Sequence, residues 1–356
     1  MGSMDKNMKN KVKRIGIIGH FGGNENFMDG QTVKTKVLYD ELNKTGMYDI
    51  VKVDTYLFKK SKVKLILDTL RCLLGCNTVF LLVSAGGMRV YFPLLYYWNK
   101  IFKTRVIHDV IGGNLHKYVR DNKNYKRYLN SFYLNLVESR GIVKGLEEAG
   151  VTNAQLFPNF KRLKKLNQND IKEYNDEIYK FCTFSRVIKE KGIEDAVKTV
   201  EKINADAGKK LCTVDIYGVV EERYKEEFEE LLKTSTDAVT YKGVIPYEKS
   251  VETLRDYYAL LFPTYWSGEG FAGTIIDAFA SAIPVIATDW NMNSEIVPNM
   301  ECGIVYPCDG IKTLEDAILW AVNNTDKFGK MKLNCLNEAN KYDADLLMEK
   351  LIGYIK

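Results

Sequence analysis

Residues Phe262–Asp289 read FPTYWSGEGFAGTIIDAFASAIPVIATD. A buried apolar strand ends near Thr264, a loop with Gly268, Gly270 and Gly273 follows, a helix begins around Thr274, and PVIAT starts another strand. Strand, glycine loop, helix and strand in that order make one unit of a parallel sheet. Glycines let backbone amides approach a ligand, and a helix N-terminus presents unpaired N–H groups and the positive end of its dipole. The corner therefore suits phosphate or another anion. Glu269 in the loop and Asp277 in the helix flank it. A carboxylate only accepts hydrogen bonds, so beside a phosphate site it suits the hydroxyls of a sugar or ribose. A plain strand–loop–helix corner would show the same glycines, and the neighbouring segments decide between the two.

Upstream, the strand of YKFCTFS ends at Ser185-Arg186, and Lys191-Gly192 opens the next helix, so both cations are expected at the same carboxyl edge as Glu269. Arginine offers a planar fork and lysine a point charge to phosphate oxygens. LCTVDIYG, VTYKG and ALLFPTY continue the alternation, with helices expected from Gly192, Glu221, Glu248 and beyond Ile311. The first half alternates in the same way: Arg14–Gly19, IVKVDTY, TVFLLVS and TRVIHDV as strands, followed by helical patterns, among them Lys62–Gly75, Met88–Phe102 and Tyr125–Leu136. The pattern breaks at Pro158-Asn159-Phe160, and a polar stretch runs to Asp176. The expected fold class is α/β, with two Rossmann-like domains facing across a cleft. Residues 1–158 form the first, 159–176 a linker, 177–340 the second, and 341–356 a terminal helix packing back towards the first.

At 356 residues, two domains are the starting expectation. Hydrophobic residues at 46% and charged residues at 27% exclude a disordered chain, and no apolar run approaches the ~20 residues needed to cross a bilayer. Met1–Ser3 reads as a cloning scar before Met4, with no signal-peptide core. Seven scattered cysteines, an odd number, point to reduced thiols and a cytoplasmic place. The net charge of +5 divides unevenly: residues 1–158 hold 25 Lys and Arg against 13 Asp and Glu, and the remainder 26 against 33. A basic first half suggests an anionic partner. Nucleic acid is not favoured, because no recognised motif accompanies the spread basic residues.

The stretch Glu269-GFAGTII-Asp277 resembles the E-x7-E signature of retaining glycosyltransferases of family 4, which have the GT-B fold. SRVIKEKGIEDAV, from Ser185, is similar to that family's phosphate-binding strand–helix segment, and the resemblance is strong from about Tyr179 to Pro307. Asp277 stands where the family has its second Glu. The resemblance implies a nucleotide-sugar donor, with UDP favoured, whose diphosphate is held by Arg186 and Lys191 without a metal or other cofactor. It places Asp277 on the ribose, Glu269 on the donor sugar, and the backbone of Gly270, Phe271, Ala272, Gly273 and Thr274 around sugar and phosphate. Gly218, Val244 and Ile245 would border the base. Gly22-Gly23 and Gly30-Gln31-Thr32 resemble the family's glycine-rich loop over donor and acceptor, and His108 the histidine touching the donor sugar. The lone D-x-D, Asp343-Ala344-Asp345, reads as a helix cap.

The implied acceptor is a glycan or lipid-linked oligosaccharide in bacterial surface-polysaccharide (capsule) synthesis. Leu57–Gly75 mixes lysines with leucines, and Tyr91–Trp98 is an aromatic run beside Lys100, Lys103 and Arg105. Such surfaces suit peripheral contact with anionic lipid at the inner face of a membrane, and equally suit core helices with lysines outside. A nucleotide-sugar epimerase on the same fold and a degenerate nucleotide-binding module stay open beside the transferase.

Overall fold

The computed structural model describes residues 13–25, 29–171, 173–174, 176–308 and 311–355, so the reading of Met1–Ser3 lies outside the described residues. In the first half, β1 (Lys13–Gly19), α1 (Gly30–Lys44), β2 (Tyr48–Asp54), α2 (Leu57–Lys60), α3 (Lys62–Gly75), β3 (Thr78–Leu82), α4 (Ala85–Phe102) and β4 (Arg105–Asp109) follow in order. Then come α5 (Leu115–Asp121), α6 (Lys123–Ser131), β5 (Leu134–Val137), α7 (Arg140–Glu148) and β6 (Ala154–Leu156). The second half has β7 (Tyr179–Phe184), α8 (Ile193–Ala207), β8 (Cys212–Tyr217), α9 (Lys225–Thr234), β9 (Val239–Gly243), α10 (Ser250–Leu254) and β10 (Ala259–Phe262). It ends with α11 (Gly273–Ala280), β11 (Val285–Thr288), α12 (Asn293–Ile296), β12 (Gly303–Tyr306), α13 (Ile311–Asn323), α14 (Thr325–Ala339) and α15 (Ala344–Ile355).

Two six-stranded parallel sheets result, ordered β2-β1-β3-β4-β5-β6 and β12-β11-β10-β7-β8-β9. Strands β3, β10 and β11 are buried throughout because helices cover both faces. On one face of the first sheet Ile15, Ile17 and Phe80 pack with Leu38 and Leu42 of α1 and with Leu347 and Leu351 of α15. On the other, Val79, Leu81 and Val106 pack with Leu65 and Leu73 of α3 and Phe92 of α4. The chain's terminal helix thus completes the core of its first sheet. No helix among the described residues is long and apolar enough to cross a membrane.

Two details differ from the sequence reading. The helix expected over Tyr125–Leu136 stops at Ser131, and Leu134–Val137 becomes β5, paired with β4 so that His108 lies opposite Asn135. A buried asparagine in a four-residue strand hides the strand signal. The Asn135 amide is satisfied from a distance, donating to the Leu129 carbonyl at 3.1 Å and to Asn153 Oδ1 at 2.9 Å. The polar stretch after Asn159 is tethered: Lys161 exchanges backbone bonds with Tyr342 and Ala344, and Leu166 N–H donates to the Ala280 carbonyl. Arg162 binds Glu41 and Asp345, each at 2.7 Å.

Candidate active site

At the carboxyl edge of the second sheet, β7 ends and the chain turns through Arg186 and a single 3-10 turn, Lys189–Lys191, into α8. Gly192 makes this turn at a φ of 68°, and a Cβ there would stand 2.2 Å from the Pro263 carbonyl oxygen. The close approach seats Lys191 beneath the loop that follows β10. Its ammonium pairs with Glu269 Oε2, which also accepts from Thr264 Oγ1 at 2.9 Å. Lys191 and Glu269 are 7% and 5% exposed, so the pair is dry. Burial pulls the Lys191 pKa down, and Glu269 only partly offsets it.

Arg186 pairs with Glu221 at 2.5 Å, and its guanidinium lies 4.7 Å from the centre of the Trp266 ring. Lys191 Nζ lies 5.2 Å from the same ring. One indole ring therefore restrains both cations. Beside them α11 begins on Ala272, which offers no capping side chain, and Thr274 Oγ1 is buried without a hydrogen-bond partner. An uncapped helix start with an unspent hydroxyl leaves donors for an anion. Asp277, in the same helix, pairs with Lys161 at 2.6 Å. Gly218 backs the site: a Cβ on it would collide with the Ser185 carbonyl oxygen at 1.7 Å. Val244 and Ile245 follow directly after β9, Val244 exposed and Ile245 half-buried.

The first sheet's edge is occupied differently. Lys34 of α1 is buried between Asp109 at 2.7 Å and Glu138 at 2.8 Å, and donates to the Val110 carbonyl at 2.8 Å. Burial pulls the Lys34 ammonium down, but the two carboxylates outweigh it and its pKa stands above the ordinary lysine value. Burial raises the Asp109 pKa, against the pull of Lys34. The amides of Phe21 and Gly23 donate to Asp54 at 2.9 and 2.8 Å, so this turn, with Gly22 at φ 83°, spends its donors inside the protein. Asp29 caps α1 through Thr32, Gln31 reaches the Leu82 carbonyl, and Gly30 opens the helix. A capping carboxylate already occupies that dipole.

His108 is not brought to the cleft. Along β4, Ile107 faces the α1–α15 layer and His108 faces the α4 layer, its ring 5.0 Å from Phe92 and fully buried. Nδ1 lies 3.2 Å from Asn135 Oδ1, and burial pushes the imidazole pKa down to about 3. Strand alternation decides this, because successive residues of a strand face opposite layers. Backbone of the β4–α5 turn meets Glu269 instead: a Cβ on Gly113 would stand 2.6 Å from the Glu269 carbonyl oxygen.

Other contacts cross the same cleft. Glu138 Oε2 accepts from the Phe271 N–H at 3.1 Å, and Asn114 Nδ2 donates to the Ser267 carbonyl at 2.7 Å. Asn159 Nδ2 donates to the Phe271 carbonyl at 3.3 Å. The Gly268–Gly273 loop is thereby gripped from the first half at both ends. Lys34, Glu138, Lys161 and Trp266 were not found from sequence. Only Trp266, inside the glycine loop, carried a local signal.

Residues 164–341, half of the chain, match the family described as glycosyl transferases group 1. An uncharacterized glycosyltransferase of Methanocaldococcus jannaschii is 20% identical over 64% of this chain, and the chain spans about half of that relative, 55% of its length. HepE of Anabaena, solved in complex with UDP, superposes with a TM-score of 0.71 over 97% of this chain and 99% of its own, at 14% identity. Sucrose-phosphate synthase of Thermosynechococcus elongatus gives 0.74 over 96% and 99%, at 16% identity. These two likenesses establish the same two-sheet fold.

Proposed function

The chain belongs to the group 1 glycosyl transferases, and from that premise we propose that it moves a sugar from a nucleotide-diphosphate donor, UDP-sugar by preference, to a glycan or lipid-linked oligosaccharide in cell-surface polysaccharide synthesis. The reading is of a cytoplasmic, retaining, metal-independent enzyme of the E-x7-E type, with Asp277 as the second carboxylate. HepE has also been solved with UDP-glucose, and the pneumococcal transferase GtfA with UDP and GlcNAc, which supports the donor class. Cys72, Cys76, Cys182, Cys212, Cys302 and Cys335 are buried free thiols, in keeping with a reducing compartment.

The observation that carries the reading is the dry Lys191–Glu269 pair beside the uncapped start of α11. A diphosphate arriving there offers Lys191 and Arg186 a stronger anion than the carboxylates they hold. Lys191 then releases Glu269, whose oxygens accept from the hydroxyls of the donor sugar, while Asp277 accepts from the ribose and Thr274 donates to phosphate. As the bond from the anomeric carbon to the diphosphate oxygen breaks, the acceptor oxygen bonds from the same face and its proton passes to a leaving-phosphate oxygen. Fixed cations in a water-poor site stabilise the growing negative charge. His108 has no part in this path.

The test is incubation with labelled UDP-, GDP- and dTDP-sugars and a glycan acceptor in EDTA. UDP release with sugar transfer that persists in EDTA is the expected result. An isomerised donor without transfer would replace the reading by an epimerase, and binding without turnover by a nucleotide-binding module. Activity abolished by EDTA and restored by a divalent cation would remove metal independence.

A further inference from the structure

We infer that the outer surface of α3 and α4 docks on an anionic lipid bilayer. A helix lying on a sheet normally turns its polar side outwards. In α3, Leu65, Thr69, Cys72 and Leu73 are buried against the sheet, yet Val63, Ile66, Leu67, Leu70 and Leu74 are 70%, 59%, 50%, 41% and 70% exposed. These five recur at helical spacing, so α3 is apolar on both faces. Helix α4 repeats the arrangement, with Met88, Phe92 and Leu95 buried and Val90, Leu94, Tyr97 and Ile101 exposed. The helices are neighbours, since Thr69 Oγ1 of α3 lies 3.2 Å from the Tyr91 hydroxyl of α4. Their outward stripes form one surface that no described residue covers.

Charge identifies the occupant. Between Leu57 and Arg105 the chain carries nine Lys and Arg and a single acid, Asp68. A second copy of this chain would set nine cations against nine. An apolar centre rimmed by long cationic side chains, with Tyr97 and Trp98 at its border, matches an interface where apolar groups enter the acyl boundary and cations reach the phosphates. The patch begins at the cleft: Lys60 of α2 pairs with Glu25 of the loop after β1, and Asp54 at the end of β2 holds Gly23. The docking rests on the surface itself; its use, presenting a lipid-linked acceptor at the cleft mouth, rests on the function proposed above.

The experiment is flotation of the full chain with vesicles of phosphatidylcholine alone and with about a third phosphatidylglycerol. Wild type should float with the anionic vesicles only, and should be released at about 1 M salt, where the screening length falls to ~3 Å. Two variants separate the components: Val63→Gln/Ile66→Gln/Leu67→Gln, and Lys59→Gln/Lys60→Gln/Lys62→Gln/Lys64→Gln. Each should lower partitioning by at least about tenfold, with the melting temperature and the shift produced by UDP unchanged, because every altered side chain is exposed. Equal partitioning on neutral and anionic vesicles overturns the proposal, as does a variant that floats like wild type. Dimerisation by light scattering that the apolar variant abolishes, without vesicle binding, assigns the face to a second copy and also overturns it. Transfer to a soluble acceptor without flotation would sink the docking and leave the transferase; flotation without transfer would do the reverse.

Discussion

The two sheets present charge at the same topological place, their carboxyl edges, and handle it in opposite ways. In the first, Lys34 is shared by Asp109 and Glu138, Asp54 holds the Gly23 amide, and Asp29 caps α1. These groups are closed within the protein. In the second, Lys191 has one carboxylate, Arg186 has one at its exposed side, and α11 starts with no side-chain cap. Single pairs can be exchanged for a stronger anion, whereas a doubly held ammonium cannot leave without stranding two buried carboxylates. Net charge points the other way, since the half with the exchangeable cations is the one with 33 acids against 26 bases. Local pairing, not the sum over a half of the chain, decides which cations could be exchanged for an incoming anion.

The largest effect that could break this contrast is Lys191→Ala. It should lower kcat/KM by about 10²–10³ and also lower the melting temperature, because Glu269 is left buried and unpaired at a cost of about 3–5 kcal/mol. Lys191→Met/Glu269→Gln should recover the melting temperature without the activity. Lys34→Met should destabilise to a similar degree, but its folded fraction should bind UDP like wild type. Calorimetric titration giving the reverse order of UDP affinities would cancel the comparison.

The next test concerns His108. Its pKa of about 3 in the folded state lies below that of an exposed histidine. Between the two values the unfolded chain binds the proton and the folded chain does not. Stability from this group is therefore complete above pH ~6.5 and is lost as pH falls towards 3, by up to about 1.4 kcal/mol per pH unit. His108→Gln should flatten the melting-temperature profile in that window and leave kcat/KM near pH 7.5 almost unchanged. A variant with wild-type melting and a hundredfold lower kcat would return the histidine to the cleft.

The smallest effect belongs to the helix starts. Asp29→Ala should cost about 1 kcal/mol of stability and leave UDP affinity unaltered. Ala272→Asp, which gives α11 the cap it lacks, should weaken UDP binding while the protein melts no lower. UDP affinity insensitive to Ala272→Asp would mean that the helix start does not face phosphate.

Much of the layout was legible because its cues are local. The alternation of apolar strands with helical periods, the glycine loop and the helix starts near Gly30, Lys62 and Gly192 report on neighbours in the chain. The convergence of Arg186, Lys191 and Glu269 was legible too, since each follows a strand of the same sheet. Strands β5, β6 and β12 were not, being three or four residues long with little room for a period. Nor did helical spacing show which face of α3 meets the sheet, because both faces are apolar.

Local patterns along the chain were enough to specify two parallel α/β halves and a glycine-rich strand–loop–helix corner between Gly268 and Asp277. Tertiary structure alone decided which charges meet: Lys34 and Glu138 are 104 residues apart, Lys161 and Asp277 116, and Glu138 and Phe271 133. It also turned His108 into the helix layer, through the parity of one strand position. Desolvation and Coulomb attraction depend on distance and burial in space, and a one-dimensional pattern carries only separation along the chain.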